Sequence, residues 1–241
     1  MIIAEIGINH EGSEKTAMAI LKRLLKTSID AITFQIPSQE YLDGSEPKRR
    51  PLSNNFYDIA ISQTHQSNKL IGFACADLRM VEFLDGCGTD FWKTLSWDIL
   101  NKELQEELQK TSKMIFISTG VSGIDDIIRV SSEYENIKFI HTQISNKIDL
   151  VNLEAIRTIS NKTHKEVAFG LHCNVKDVVL VSLAYNPSDI FFYVKKDDDD
   201  SYPDGPHAFT LDEVDTTVNN IKTLKRAIGD GNKVPVERQW N

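Results

Sequence analysis

The chain has 241 residues and a formal net charge of -8, with 35 acidic residues against 27 lysines and arginines. That balance excludes the basic footprint of a nucleic-acid binder but allows a local basic spot for an anionic small molecule. No apolar run approaches the roughly 20 residues of a membrane span, Met1–Glu5 lacks a basic leader, and the widely spaced Cys75, Cys87 and Cys173 read as reduced thiols, so a cytoplasmic protein with no membrane partner is expected.

Short apolar runs alternate with helical patterns along the chain. The first strand is predicted at Ile2–Ile8, followed by a helix over Glu14–Lys26 that places Ala17, Ile20, Leu21 and Leu24 on one face, with Ser13 as its N-cap. A strand at Ala31–Ile36 precedes a weaker helix at Asn54–Gln66, and a strand at Leu70–Ala74 precedes a short one at Leu78–Leu84. Strands at Phe91–Leu95, Met114–Ser118, Lys138–Thr142 and Val167–Leu171 are each followed by a helix, at Leu100–Leu108, Gly123–Tyr134, Leu153–Ser160 and Val175–Ala184. The last pair is Asp189–Lys195 and Leu211–Ala227.

Runs such as IIAEIGI, MIFIST and DIFFYV suit strands buried on both faces, as in parallel sheets. Eight strands alternating with eight helices point to an α/β fold closed as a TIM (β/α)8 barrel in one domain, with an open doubly wound sheet as the alternative. Lys195–Pro206 (KKDDDDSYPDGP) is either a solvated loop or, in a barrel, part of the rim beyond strand eight.

Four segments in order, AEIGINHEGS (Ala4–Ser13), DAITFQ (Asp30–Gln35), FISTGV (Phe116–Val121) and GPHAF (Gly205–Phe209), resemble the sialic acid synthase family. The resemblance runs from residue 2 to about residue 230. It implies a TIM barrel that condenses phosphoenolpyruvate with an acyl-amino sugar, a transferase reaction of carbohydrate biosynthesis helped by manganese or magnesium. AIGDGNKVPVERQW (Ala227–Trp240) resembles the linker leaving that barrel, so residues 1–230 are expected to be the barrel and 231–241 a tail, without the family's antifreeze-like domain. The oligomeric state stays open.

By this resemblance Glu5, Lys93 and Asp98 are the catalytic candidates. Glu5 matches a glutamate near the sugar and metal, although a structural ion pair would also explain a carboxylate in an apolar strand. Lys93 matches a phosphoenolpyruvate lysine, and a buried ammonium needs an anion in any case. Asp98 stands for a glutamate that relays a proton. Asn9, His10, Gln35, Ser96, Ser118, Thr119, His141, Lys195 and His207 are the substrate-binding candidates, with packing as the alternative for His10. Thr119 and Gly120 read as an anion nest or an ordinary turn.

Two departures stand out. Thr33 takes the place of a second phosphate-binding lysine, and a hydroxyl does not replace a cation facing phosphate. Asn174 and Val194 take the places of the metal-ligand histidines, so the cofactor is unknown. A weaker alternative is a site rebuilt from His141, His172 and His207, with Cys173 as a soft ligand. Lys195 or Lys196 would otherwise supply the missing positive charge, or a Schiff base. The function read here is a synthase on a sugar or aldehyde. The alternatives are a metal-independent aldolase, lyase or isomerase, and a non-catalytic homologue that binds a sugar or a partner.

Overall fold

A computed structural model describes residues 1–38, 50–233 and 235. Its parallel strands are β1 (Ile2–Gly7), β2 (Ala31–Ile36), β3 (Leu70–Cys75), β4 (Phe91–Thr94), β5 (Met114–Ser118), β6 (Ile137–His141), β7 (Val167–Gly170) and β8 (Ile190–Lys195). They pair in chain order, and β1 also pairs with β8, with Ile2 opposite Ile190 and Glu5 opposite Tyr193. The sheet therefore closes into a TIM barrel, and the open-sheet alternative is excluded.

The pleat sorts each strand into two faces. Ile3, Ala31, Phe91, Phe116, Ile140, Ala168 and Phe191 pack together inside the barrel. Phe91 lies over Gly72, where any Cβ would meet its ring at 2.3 Å. The alternate residues, among them Phe34, Phe73, Phe139, Phe169, Phe192 and Val194, form the larger core with the helices. Two steps along the inward face from Ile3, Phe91, Phe116 and Phe191 stand Glu5, Lys93, Ser118 and Tyr193. This periodicity delivers polar side chains to the mouth at the C-terminal ends of the strands.

The helices are α1 (Glu14–Leu24), α2 (Asn54–Gln66), α3 (Leu78–Cys87), α4 (Lys102–Lys110), α5 (Ile124–Glu133), α6 (Ala155–Thr163), α7 (Val178–Ser182) and α8 (Val214–Ile228). In α1 the expected residues Ala17, Ile20, Leu21 and Leu24 are buried, and the Ser13 hydroxyl accepts from the Thr16 N–H at 3.2 Å. The supposedly weak α2 is well anchored: Phe56 and Tyr57 pack edge-on against Phe34. Helix α7 is shorter than expected. Its VVLVS run is rich in β-branched residues, which are stiff in helices, and the chain tightens into a 3-10 turn at Leu183–Tyr185. Helix α8 starts later than expected, after a turn over Leu211–Glu213 that follows a short ninth strand, β9 (Phe209–Thr210), beside Val194 and Lys195. Much of the segment 231–241 lies outside the described residues. No helix among those described is long and apolar enough to cross a membrane.

Candidate functional site

The barrel mouth holds a cavity of about 170 Å³. Gln35, Lys93, Ser96, Ser118, His172, Tyr193 and Asp204 supply its polar wall. Ile8, Leu95, Trp97, Ile144 and Pro203 supply an apolar lip. At its floor the Lys93 ammonium donates to the Glu5 carboxylate, both side chains being at most 5% exposed. The ammonium also lies 5.5 Å from the Tyr193 ring centroid and 5.6 Å from that of Phe191. Glu5 is thus used as the partner of Lys93, which removes the cost of burying either charge alone. The Gln35 amide, the Ser118 and Tyr193 hydroxyls and the His172 ring have no hydrogen-bond partner among the described residues. Ser96 accepts from the Gly120 N–H at 3.0 Å and keeps its own hydroxyl proton for a ligand.

Local backbone makes this packing possible. Strand β1 carries an irregularity between Glu5 and Gly7, and Gly7 has a φ of 55°. A Cβ there would meet Tyr193 Cε1 at 2.8 Å and Asp204 Oδ2 at 3.2 Å. Glycine therefore serves both the left-handed backbone and the close approach of two cavity residues.

Several expected site residues lie elsewhere. His141 follows Phe139 on the outward face of β6, packs on Phe169, and shares a 2.9 Å hydrogen bond between Nε2 and the Val151 carbonyl. It braces the barrel against the β6–α6 loop. Asn9 is wholly buried and spent internally: its amide donates to the Val194 carbonyl and accepts from the Asp204 N–H, both at 2.9 Å. His10 packs on Phe34, and its Nδ1 accepts from the Gly12 N–H at 3.0 Å. Burial pushes it down to a pKa of about 4. The packing alternative for His10 is thereby the one observed.

Thr119 and Gly120 form no anion nest. The Thr119 N–H and hydroxyl both donate to the Ile140 carbonyl, at 3.1 and 3.0 Å, and the Gly120 N–H goes to Ser96. Asp98 sits in a 3-10 turn outside the cavity wall, and burial raises its pKa. Lys195 faces inward, but its ammonium is held by Asp200 at 2.7 Å with Asp198 at 3.6 Å. Lys196 lies 3.7 Å from Asp197. The acidic run neutralises this corner, so it brings no free positive charge, and an ion-paired ammonium is no Schiff-base nucleophile.

The sequence reading missed Tyr193, Trp97 and Asp204. Counting by two from Phe191 would have found Tyr193 on the inward face. Asp204 reaches the wall because Asn9 pins its backbone, a contact across 195 positions that no local pattern signals. The Lys195–Pro206 loop is thus part of the rim.

A manganese or magnesium ion does not fit the residues present. Asn174 is exposed, and Val194 points outward into the helix layer. His172 and His207 stack at 4.7 Å between ring centroids with 33° between their planes, an arrangement that does not aim two lone pairs at one point. Burial, His207 and Lys93 hold His172 well below its ordinary pKa, and burial and Lys93 bring His207 down to about 4. His141 points away, and among the described residues no three His, Cys, Asp or Glu are grouped to hold a metal. Hard divalent ions want oxygen ligands besides.

The NeuB family model matches residues 54–233. The chain belongs to the NeuB family. The resemblance to sialic acid synthases is thereby borne out. Other relatives agree over nearly the whole chain. N,N'-diacetyllegionaminic acid synthase of Campylobacter jejuni is 23% identical across 97% of this chain and 78% of its own. An uncharacterised protein of Methanocaldococcus jannaschii is 27% identical across 98% and 74%. The crystal structure of N-acetylneuraminic acid synthetase from Leptospira borgpetersenii, in complex with citrate, superposes with a TM-score of 0.88 at 21% identity, covering 98% of this chain and 87% of that one. That last likeness supports the NeuB barrel as a fold.

Proposed function

We propose that this NeuB-family barrel is a synthase that joins phosphoenolpyruvate to the open-chain aldehyde of an amino sugar. The observation that carries the reading is the convergence of Gln35, Lys93, Ser96 and Ser118 on one cavity at the barrel mouth. Three neutral donors and one ammonium suit a phosphorylated carboxylate, and the apolar lip suits an acyl-bearing sugar. In the reaction, C3 of phosphoenolpyruvate bonds to the aldehyde carbon, water adds at C2, and phosphate leaves to give a 3-deoxy-2-keto acid. The Lys93–Glu5 pair lies at the floor, where it orients the anion and balances its charge. Residues 1–230 are the working unit in this reading, and the setting is the cytoplasm.

The test is incubation of the protein with phosphoenolpyruvate and a panel of N-acylated amino aldoses, following phosphate release and the keto acid by mass spectrometry. Stoichiometric release of both products, lost in Lys93→Met, is expected. No release with any sugar would end the reading.

One observation favours a second reading. Thr33 is buried and neutral, and Lys93 is already committed to Glu5. A single paired ammonium is a modest grip on a phosphate. The barrel then takes a sugar without phosphoenolpyruvate, either as a binder or as a metal-independent aldolase, lyase or isomerase. A thermal shift with the sugar alone, unchanged by adding phosphoenolpyruvate, distinguishes it.

A further inference from the structure

We propose that His172 and Tyr193, backed by His207 packed against both rings, form a metal-independent subsite for an uncharged carbonyl or hydroxyl oxygen of the substrate. The inference rests on the sugar-directed reading above and deepens it at one end of the cavity.

The three rings touch one another: His172 and His207 at 4.7 Å, Tyr193 and His207 at 5.1 Å, and His172 and Tyr193 at 5.3 Å between centroids. His172 and Tyr193 line the cavity, and their polar atoms have no intramolecular partner among the described residues. His207 is 7% exposed, yet neither ring nitrogen makes a hydrogen bond; Asp204 Oδ1 lies 3.9 Å from Nε2. Buried polar groups left unpaired are uncommon and point to a missing ligand.

Charge decides the ligand class. Glu5 balances Lys93, Asp204 adds a carboxylate to the wall, and burial keeps both imidazoles neutral. This end therefore offers no net positive charge to an anion, and among the described residues no three His, Cys, Asp or Glu are grouped there to hold a metal cation. A neutral imidazole and a phenol each carry one donor and one acceptor. They match an aldehyde oxygen or a sugar hydroxyl, and a neutral imidazole is able to polarise a carbonyl without a metal. Gly7 provides the space that lets Tyr193 and Asp204 close this corner.

The experiment has two arms on the full chain. Mn(II) is titrated and read by electron paramagnetic resonance. An N-acetylated amino aldose is titrated by calorimetry, in chelator and in Mn(II), on the wild type and on His172→Gln, Tyr193→Phe and His207→Gln, each checked for fold by thermal melting. The imidazole nitrogen resonances are followed in parallel. Expected are no stoichiometric Mn(II) binding, aldose affinity equal within about twofold under both conditions, losses of about tenfold or more in the cavity-facing variants, and shifts of the histidine resonances on binding. Stoichiometric Mn(II) binding abolished by His207→Gln would overturn the inference and leave the synthase reading standing. So would aldose binding indifferent to all three variants. Absence of both aldose binding and turnover would remove the synthase reading, and the subsite with it.

Discussion

The Lys93 ammonium and the Glu5 carboxylate meet inside the barrel although 88 residues separate them in sequence. Strand β4 delivers one and β1 the other, and both are shielded from water. Removing one partner leaves the other charge buried and uncompensated. Lys93→Met or Glu5→Gln alone is expected to cost about 3–5 kcal/mol. The double variant should lose clearly less than the two losses combined. Urea denaturation of the four proteins checks this, and additive losses would show that the pair is not coupled.

Gly7→Ala tests the corner built on β1. The new methyl meets the Tyr193 ring, and the left-handed backbone adds roughly 1–2 kcal/mol. A stability loss of at least that size, with weaker sugar binding, is expected in denaturation and calorimetry. An unchanged protein would mean that Tyr193 does not pack there.

Acid should weaken the fold before the carboxylates titrate. His10 and His207 are buried as neutral rings, each lowered to about 4 from 6.5. Between those values the unfolded chain binds protons that the folded chain refuses, so stability falls as pH drops from about 6.5 towards 4. Each histidine contributes on the order of 3 kcal/mol over that window. Urea midpoints at pH 7.5, 6 and 5 should decline in that order; a flat profile would contradict the burial of neutral imidazoles.

Trp97 is the large aromatic of the apolar lip and is 69% exposed. Trp97→Ala should leave stability within about 0.5 kcal/mol. The same change should weaken binding of an acylated sugar by about tenfold, near 1.4 kcal/mol, because a flat ring at a pocket edge covers an apolar sugar face. Equal affinities for wild type and variant would place the sugar elsewhere.

His141→Gln makes a useful contrast. Its ring braces the outer layer through the Val151 carbonyl, so the change should lower stability by about 1–2 kcal/mol and leave ligand affinity unaltered. A binding defect at unchanged stability would return His141 to the cavity.

The barrel was legible because strand burial writes itself in short apolar runs and because alternating units have few ways to pack. The placement of Gln35, Lys93 and Ser118 at the mouth was legible as well, since a polar residue in an apolar strand near its C-terminal end is costly to bury unless it meets a cavity or a partner. What failed was direction. His141 and Val194 lie one residue out of phase with the inward face, and matching them to a family motif without counting the pleat from Phe139 or Phe192 assigned them to the wrong side. Asn9, Thr119 and Lys195 failed for another reason. Their partners are Val194, Ile140 and Asp200, and the pairing of a polar group with a distant carbonyl or an acidic loop leaves no periodic trace.

The seam between β1 and β8 joins the first barrel strand to the last, and the Asn9 clip fastens it. During synthesis the first strand must therefore wait, with Glu5 and its neighbours unsheltered, until nearly two hundred further residues have been made. The chamber is completed by one late, long-range event, the kind of pairing expected to slow maturation and to leave strand edges open to misassociation until the last strand arrives.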